Sequence, residues 1–249
     1  MKTFKRRMSM VAAAAAAFGM LGAGTAHADT LTGWVGPAGS NSAGVIFLNT
    51  STIINSPNLR AESKIYSSFG QTVPSGEIGV RARLFSSGAL CEATTYRYNT
   101  GPVAQFTYGT TNTCGAGWYN SHGFTAVWDG TSTYKEALTF PTDPLWWEPA
   151  AARSSTTEPE VTPASIPSGT NADGLTYGSG ASATTEADFP DLVAAIGDDG
   201  TTLGFVRKSD LVEAPAANPE EASAGANAGR TVPLFDEDGQ TQVGSFTLS

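Results

Sequence analysis

The residue types best suited to chemistry in this chain are Cys91, Cys114 and His122, and all three fall within residues 76–130. A serine or cysteine nucleophile needs a base, and beyond His27 near the N-terminus the only imidazole is His122. Ser121 is its neighbour, but adjacent residues of a strand point to opposite faces, and a triad is assembled by convergence in space. Ser121 and Gly123 flank His122, a common setting for a turn residue. No G-x-S-x-G elbow occurs. No catalytic residue is assigned.

Paired carboxylates are the other route to hydrolysis, as in glycosidases. The candidates in the first half are Glu62, Glu77, Glu92, Asp129 and Glu136. Several sit in alternating runs, where a solvent-facing charge is the ordinary explanation, and nothing singles out a pair. Acidic turns at 236–239 and 171–174 have oxygen ligands at calcium-loop spacing. The twelve-residue loop with its terminal Glu is missing, and Asp-Gly is also a standard hairpin turn. Two cysteines and one histidine are too few for a structural zinc site. No metal and no cofactor is expected.

Aromatic residues are the stronger lead, because flat faces stack on sugars or grip peptides. Trp34, Trp118, Tyr119, Trp128, Tyr134, Trp146 and Trp147 all lie in the first half. Trp34 and Trp128 are expected in the core, as large aromatics usually are. Trp118 and Tyr119 follow Cys114 in a glycine-rich loop and, with Tyr134, are the expected ligand-binding residues. Trp146 and Trp147 are placed to pin the following segment to the domain.

The elements that must position these groups begin after residue 28. Lys2, Lys5, Arg6 and Arg7 precede an alanine-rich apolar run, and Ala26 and Ala28 stand in the A-x-A relation of a signal-peptidase site. Residues 1–28 therefore read as a signal peptide, with no membrane association after cleavage. Its loss takes four of 14 basic residues and none of 23 acidic ones, leaving a net charge of −13. So acidic a chain repels phosphate backbones, which excludes nucleic acid as a partner. In an exported chain the two cysteines are expected to pair as a Cys91–Cys114 disulfide.

Short β-type runs broken by Gly, Asn, Ser and Pro follow one another from residue 30 to residue 140. The clearest spans 79–85, with Val80, Ala82 and Leu84 on one face and Arg81, Arg83 and Phe85 on the other. Runs at 117–119 and 123–128 read as two strands parted by a turn at Ser121 and His122. With no helical period among them, these runs predict a mainly β first domain over 29–147, an antiparallel sandwich or barrel. Residues 148–170, rich in Pro, Ser, Thr and Glu, predict an extended linker. Residues 171–249 predict a small acidic α+β module of two hairpins and one short helix, with Asn218 as N-cap and Pro219 at the first helical position.

Pro190, Asp191, Leu192, the run Gly204 to Leu211, Pro219 to Ala222, and Arg230 with Val232 to Phe235 carry a resemblance. Together with Asp238, Gly239, Gly244 and Phe246 they resemble a tail module of exported actinobacterial proteins. Phe205 departs from it, Tyr being more familiar there. Gly79, Arg83, Leu84, Cys91, Tyr98, Asn99, Cys114 and Gly115 are similar, more loosely, to small exported β domains of the same bacteria. The resemblance implies an actinobacterial origin and an extracellular or cell-wall location, and it transfers no activity. The expected function is a secreted binding protein for cell-wall polysaccharide or another exported protein. A carboxylate-dependent hydrolase and a structural envelope component are the alternatives.

Overall fold

The computed structural model describes residues 29–149, 166–212, 215–225 and 229–249. The expected signal peptide and residues 150–165 of the expected linker lie outside them. In chain order the first half forms β1 (Thr30–Thr32), β2 (Gly36–Ser40), β3 (Ile46–Ile54), β4 (Arg60–Ser67), β5 (Ile78–Ser86) and β6 (Ala89–Ala93). Then come β7 (Arg97–Tyr98), β8 (Gln105–Gly109), β9 (Gly117–Trp128), β10 (Tyr134–Leu138) and β11 (Leu145–Trp147). Among the described residues one sheet runs β1-β3-β4-β8, with β2 also on β3, and a second is built around β10-β9-β5-β6. The fold is mainly β, with antiparallel pairing throughout the first half, as expected.

The two sheets face each other across an apolar layer. Phe47, Ile65, Ile78, Val80 and Val127 fill one part of it, and Ile53, Leu59, Leu84 and Tyr119 another. Alternation along β5 decides what faces what: Ile78, Val80 and Leu84 point into this layer, so Arg81, Arg83 and Phe85 point away. That second face is also closed. Arg81 and Arg83 are only 3% and 4% exposed.

What covers it is the second half of the chain. Here β12 (Gly169–Thr170), β13 (Thr176–Gly178), β14 (Leu192–Ile196) and β15 (Leu203–Arg207) precede two short helices, α1 (Lys208–Leu211) and α2 (Pro219–Ala224), and a last hairpin follows, β16 (Arg230–Phe235) with β17 (Gln242–Leu248). The two hairpins form where Asp-Gly turns were read, with positive φ at Gly200 and Gly239. The Asn218 side chain caps α2 by accepting from the Glu221 N–H at 2.9 Å.

The halves meet through β6. Its Ala93 pairs with Leu248 of β17 and its Leu90 with Ala195 of β14. The path β6-β17-β16-β15-β14 thereby returns to β6, a small closed barrel with one strand supplied by the first half. Phe85, Leu90, Tyr96 and Phe124 share a single apolar cluster with Phe189, Val193, Val206, Leu234 and Phe246. Arg81 donates to the Leu211 carbonyl at 3.0 Å, and the Arg83 guanidinium lies over Phe124 and Phe189. Stacking on ring faces is one of the contacts that make burial of the guanidinium groups tolerable.

Cys91 of β6 bonds to Cys114 in the loop before β9. Glu92 holds the same loop, accepting from the N–H groups of Thr111 and Asn112 at 2.9 and 2.5 Å. Closing a loop of 23 residues' separation removes unfolded-state entropy equivalent to about 3 kcal/mol. The Cys91→Ser/Cys114→Ser double variant is therefore expected to unfold at roughly 1 M lower urea than the parent. An unchanged midpoint in a chemical melt would contradict this assignment of stability.

Candidate ligand-binding cleft

β5 turns into β6 through Ser87 and Gly88 alone, since Ser86 already pairs with Ala89. Both residues have positive φ, 48° and 95°, the conformation whose twist suits a two-residue hairpin. A Cβ at Gly88 would lie 3.0 Å from Ile166 and 3.2 Å from Ser179. Glycine there lets the second half close on the turn, and the Ser179 hydroxyl does so by donating to the Gly88 carbonyl at 2.6 Å.

Beside the turn runs the start of β9. Trp118, Asn120 and His122 share one face of it. The Trp118 carbonyl accepts from the Ser87 N–H at 2.6 Å. Trp146 of β11 pairs directly opposite, its ring meeting that of Trp118 edge to face at 5.6 Å. Asn120 donates to the Ala181 carbonyl at 2.7 Å, which fixes the segment 179–184 against the strand.

The third side is the loop 139–144. Thr142 and Ser121 exchange two bonds of 3.0 Å, backbone to backbone and backbone to hydroxyl. The Ser51 hydroxyl donates to the Phe140 carbonyl at 2.5 Å. Trp34 stands next to this loop. Both glycines around it are pressed inward: a Cβ on Gly33 would meet the Phe140 carbonyl at 2.3 Å, and one on Gly36 would meet Asn49 at 2.6 Å. With the backbone held that close, the Trp34 ring is turned outward and is 82% exposed.

These pieces enclose a cleft of about 810 Å³, within the roughly 300–1,000 Å³ of small-molecule sites. Trp34, Trp118 and Phe140 supply its rings, and Asn120, Thr142, Asp143 and several serines its polar groups. Among the described residues that line it there is one carboxylate, Asp143, and no Lys, Arg or His. A second cavity, about 840 Å³, lies in the second half and has no aromatic lining among the described residues. Its charges are engaged: Arg207 donates to the Gly239 carbonyl at 2.7 Å, Asp191 accepts from Thr176, and Asp173 accepts from Gln240.

His122 lies directly behind the cleft wall. It is the sixth residue of an unbroken twelve-residue β9, not a turn residue, and it is fully buried. Its ring stacks on Phe85 at 4.6 Å and meets Phe189 edge-on at 5.5 Å. Nε2 bonds the Gly180 carbonyl at 2.9 Å, so Nε2 carries the proton, while Nδ1 has no partner among the described residues. Burial, with the positive charge of Arg83 as a second cause, lowers its pKa to about 3. A neutral imidazole enclosed this way is a packing group.

Of the three expected ligand-binding residues, the structure places Trp118 alone in the cleft. Tyr119 is on the opposite face of β9 and fully buried. Its hydroxyl donates to the Gly115 carbonyl at 2.6 Å and accepts from the Cys114 N–H at 3.0 Å, so it braces the disulfide loop. Tyr134 is 5% exposed, its hydroxyl donating to the Gly76 carbonyl at 2.5 Å and its ring against Trp128 and Tyr98. Trp34, expected in the core, is instead the most exposed ring of the cleft, whereas Trp128 packs against the shared core.

The carboxylates of the first half do not converge. Glu62 pairs with Arg60, Glu77 accepts from Asn41, Glu136 accepts from the Tyr96 hydroxyl, and Asp129 caps its own turn. Glu92 is buried, contrary to the solvent-facing expectation for such residues. The two acidic turns meet each other, with Asn171 donating to the Glu237 and Asp238 carbonyls. Among the described residues no group of three His, Cys, Asp or Glu side chains could hold a metal ion, and no helix is long and apolar enough to cross a membrane. Asn120, Phe140, Asp143 and the segment 179–184 were not singled out by sequence. Trp118 alone among the expected binding residues marked the place. No protein-family model, no curated protein and no solved structure matches this chain.

Proposed function

We propose that this chain is an exported binding protein whose cleft holds a carbohydrate, with cell-wall polysaccharide as the natural target. The observation that carries the reading is Trp34. An indole 82% exposed sits at one cleft with Trp118 and Phe140, ringed by hydroxyl and amide groups. Sugars present apolar C–H faces and hydroxyl edges, and this lining offers a surface for each. Exposed rings on a rigid scaffold also lose little conformational entropy on binding.

A single carboxylate among the described lining residues supports binding over hydrolysis, because the two-carboxylate mechanism needs a second group roughly 5–9 Å from the first. The N-terminal pattern at 1–28 supports export. The Cys91–Cys114 disulfide is compatible with an oxidising location.

Trp34→Ala and Trp118→Ala are each expected to weaken binding to soluble cell-wall polysaccharide at least about tenfold, whereas Trp128→Phe, away from the cleft, leaves it unchanged. Affinity electrophoresis at constant polysaccharide concentration measures this. Equal retardation of parent and both cleft variants would overturn the reading.

A further inference from the structure

The side chain that distinguishes this cleft from a merely aromatic groove is Asp143. Other aspartates of the chain are consumed by their own turns: Asp129, Asp188, Asp199 and Asp238 each accept two or more hydrogen bonds from nearby N–H and hydroxyl groups. Among the described residues no donor or cation engages the Asp143 carboxylate. It is exposed, lies on the cleft lining, and follows Thr142, which is tied to Ser121 by two bonds. Pro141, Pro144 and the start of β11 at Leu145 further restrict the backbone on either side. The carboxylate is thus held in place by its loop without being used by it.

Resting on the carbohydrate reading above, we propose that the cleft selects saccharides bearing free amines, with Asp143 receiving the ammonium group beside the faces of Trp34, Trp118 and Phe140. Among the described residues the lining carries no basic group to repel a cation or to attract an acidic sugar. Arg81 and Arg83 of β5, the strand that pairs with β9, are 3% and 4% exposed and turned onto the rings of Phe124 and Phe189. A carboxylate supplies the charge partner, and aromatic faces attract an ammonium through their quadrupole while also stacking on the sugar ring. An N-acetylated sugar keeps the stacking and loses both charge contacts.

The test compares a β-1,4-linked glucosamine tetramer with its fully N-acetylated form by calorimetry, using the full exported chain. The amine form is expected to bind about three- to tenfold more tightly at low salt, as an exposed ion pair and a cation–π contact allow. Asp143→Asn is expected to lower the ratio to the smaller share that the cation–π contact alone supplies. Glu220→Gln removes the same unit of charge from α2, away from the cleft, and should leave the ratio intact. Equal affinities that still depend on Trp34 would overturn amine selection while the carbohydrate reading stands. Failure of both tetramers to bind would overturn both. A ratio that persists undiminished in Asp143→Asn, or falls equally in Glu220→Gln, would overturn the assignment to Asp143. A tetralysine peptide binding as tightly as the glucosamine tetramer would overturn the sugar in favour of a cationic peptide.

Discussion

Residues 29–149 expressed alone are expected to lose cooperative folding, with the disulfide intact. In the whole chain the second face of β5 and β9 is covered by the second half, which buries Phe85, Leu90, Tyr96 and Phe124 beside Phe189, Val193 and Phe246. Uncovering four such side chains at about 1.5–3 kcal/mol each forfeits roughly 6–12 kcal/mol, comparable with the whole stability of an ordinary domain. Arg81 would also lose the Leu211 carbonyl it donates to. The barrel suffers equally, because β6 is one of its strands. Urea titration followed by tryptophan emission should show a broad, early transition for the fragment and a sharp one for residues 29–249. In the full chain, Phe189→Ala, which removes the ring touching His122, Phe124 and Arg83, should cost about 3–4 kcal/mol. A fragment with the parent's midpoint and cooperativity would show that the halves are independent.

Acid should unfold the protein through one buried imidazole before its carboxylates matter. His122 titrates at about 3 in the folded chain and at about 6.5 once unfolded. Because the folded-state value is depressed, its contribution is fully present above pH 6.5, where neither state is protonated. It is lost progressively as pH falls, since the unfolded chain takes up a proton that the folded chain refuses until about pH 3. Over the whole window the loss is roughly 4–5 kcal/mol, and between pH 6.5 and 4.5 about 2–2.5 kcal/mol. The turn aspartates Asp129, Asp188 and Asp199 have pKa values lowered by hydrogen bonds from nearby N–H and hydroxyl groups, so their influence falls at more acid pH. His122→Gln, whose amide reaches the position of Nε2, keeps a donor for the Gly180 carbonyl but cannot titrate. It should be less stable at pH 7 yet nearly flat from pH 6.5 to 4.5 in urea midpoint. A parent midpoint that does not move over that interval would contradict the buried neutral histidine.

Much of the fold was legible because it is written in local chemistry. Alternation along β5, the Asp-Gly hairpins and the Asn218–Pro219 cap each follow from neighbours in sequence. So does the disulfide, from compartment and cysteine count. The reading broke where tertiary contact overrides local preference. Gly123 beside Ser121 has turn composition, yet it sits in mid-strand because a Cβ there would meet the Arg81 carbonyl at 2.1 Å and the Ser63 hydroxyl at 2.3 Å. Close approach of another strand, not a bend, is what that glycine serves. With the turn removed, β9 becomes one strand, His122 moves inside, and Trp118 and Tyr119 separate to opposite faces. Arg81 and Arg83 gave no sign that their face would be buried, since the groups that make the burial tolerable, among them the Leu211 carbonyl and the rings of Phe124 and Phe189, come from distant parts of the chain. Trp34 was misplaced for a related reason. Its exposure follows from the packing of Gly33 and Gly36 against Phe140 and Asn49, which no local pattern records. The cleft was illegible because its walls come from separate segments spread between residues 34 and 184.

The five tryptophans offer the most direct test of a binding cleft. Their indole N–H resonances, assigned by single Trp→Phe variants, can be followed during titration with the glucosamine tetramer. The cleft account predicts saturable shifts at Trp34 and Trp118, a smaller one at Trp146, which contacts Trp118 edge-on, and none at Trp128. Stationary Trp34 and Trp118 signals at saturating sugar, or shifts confined to Trp128, would contradict it.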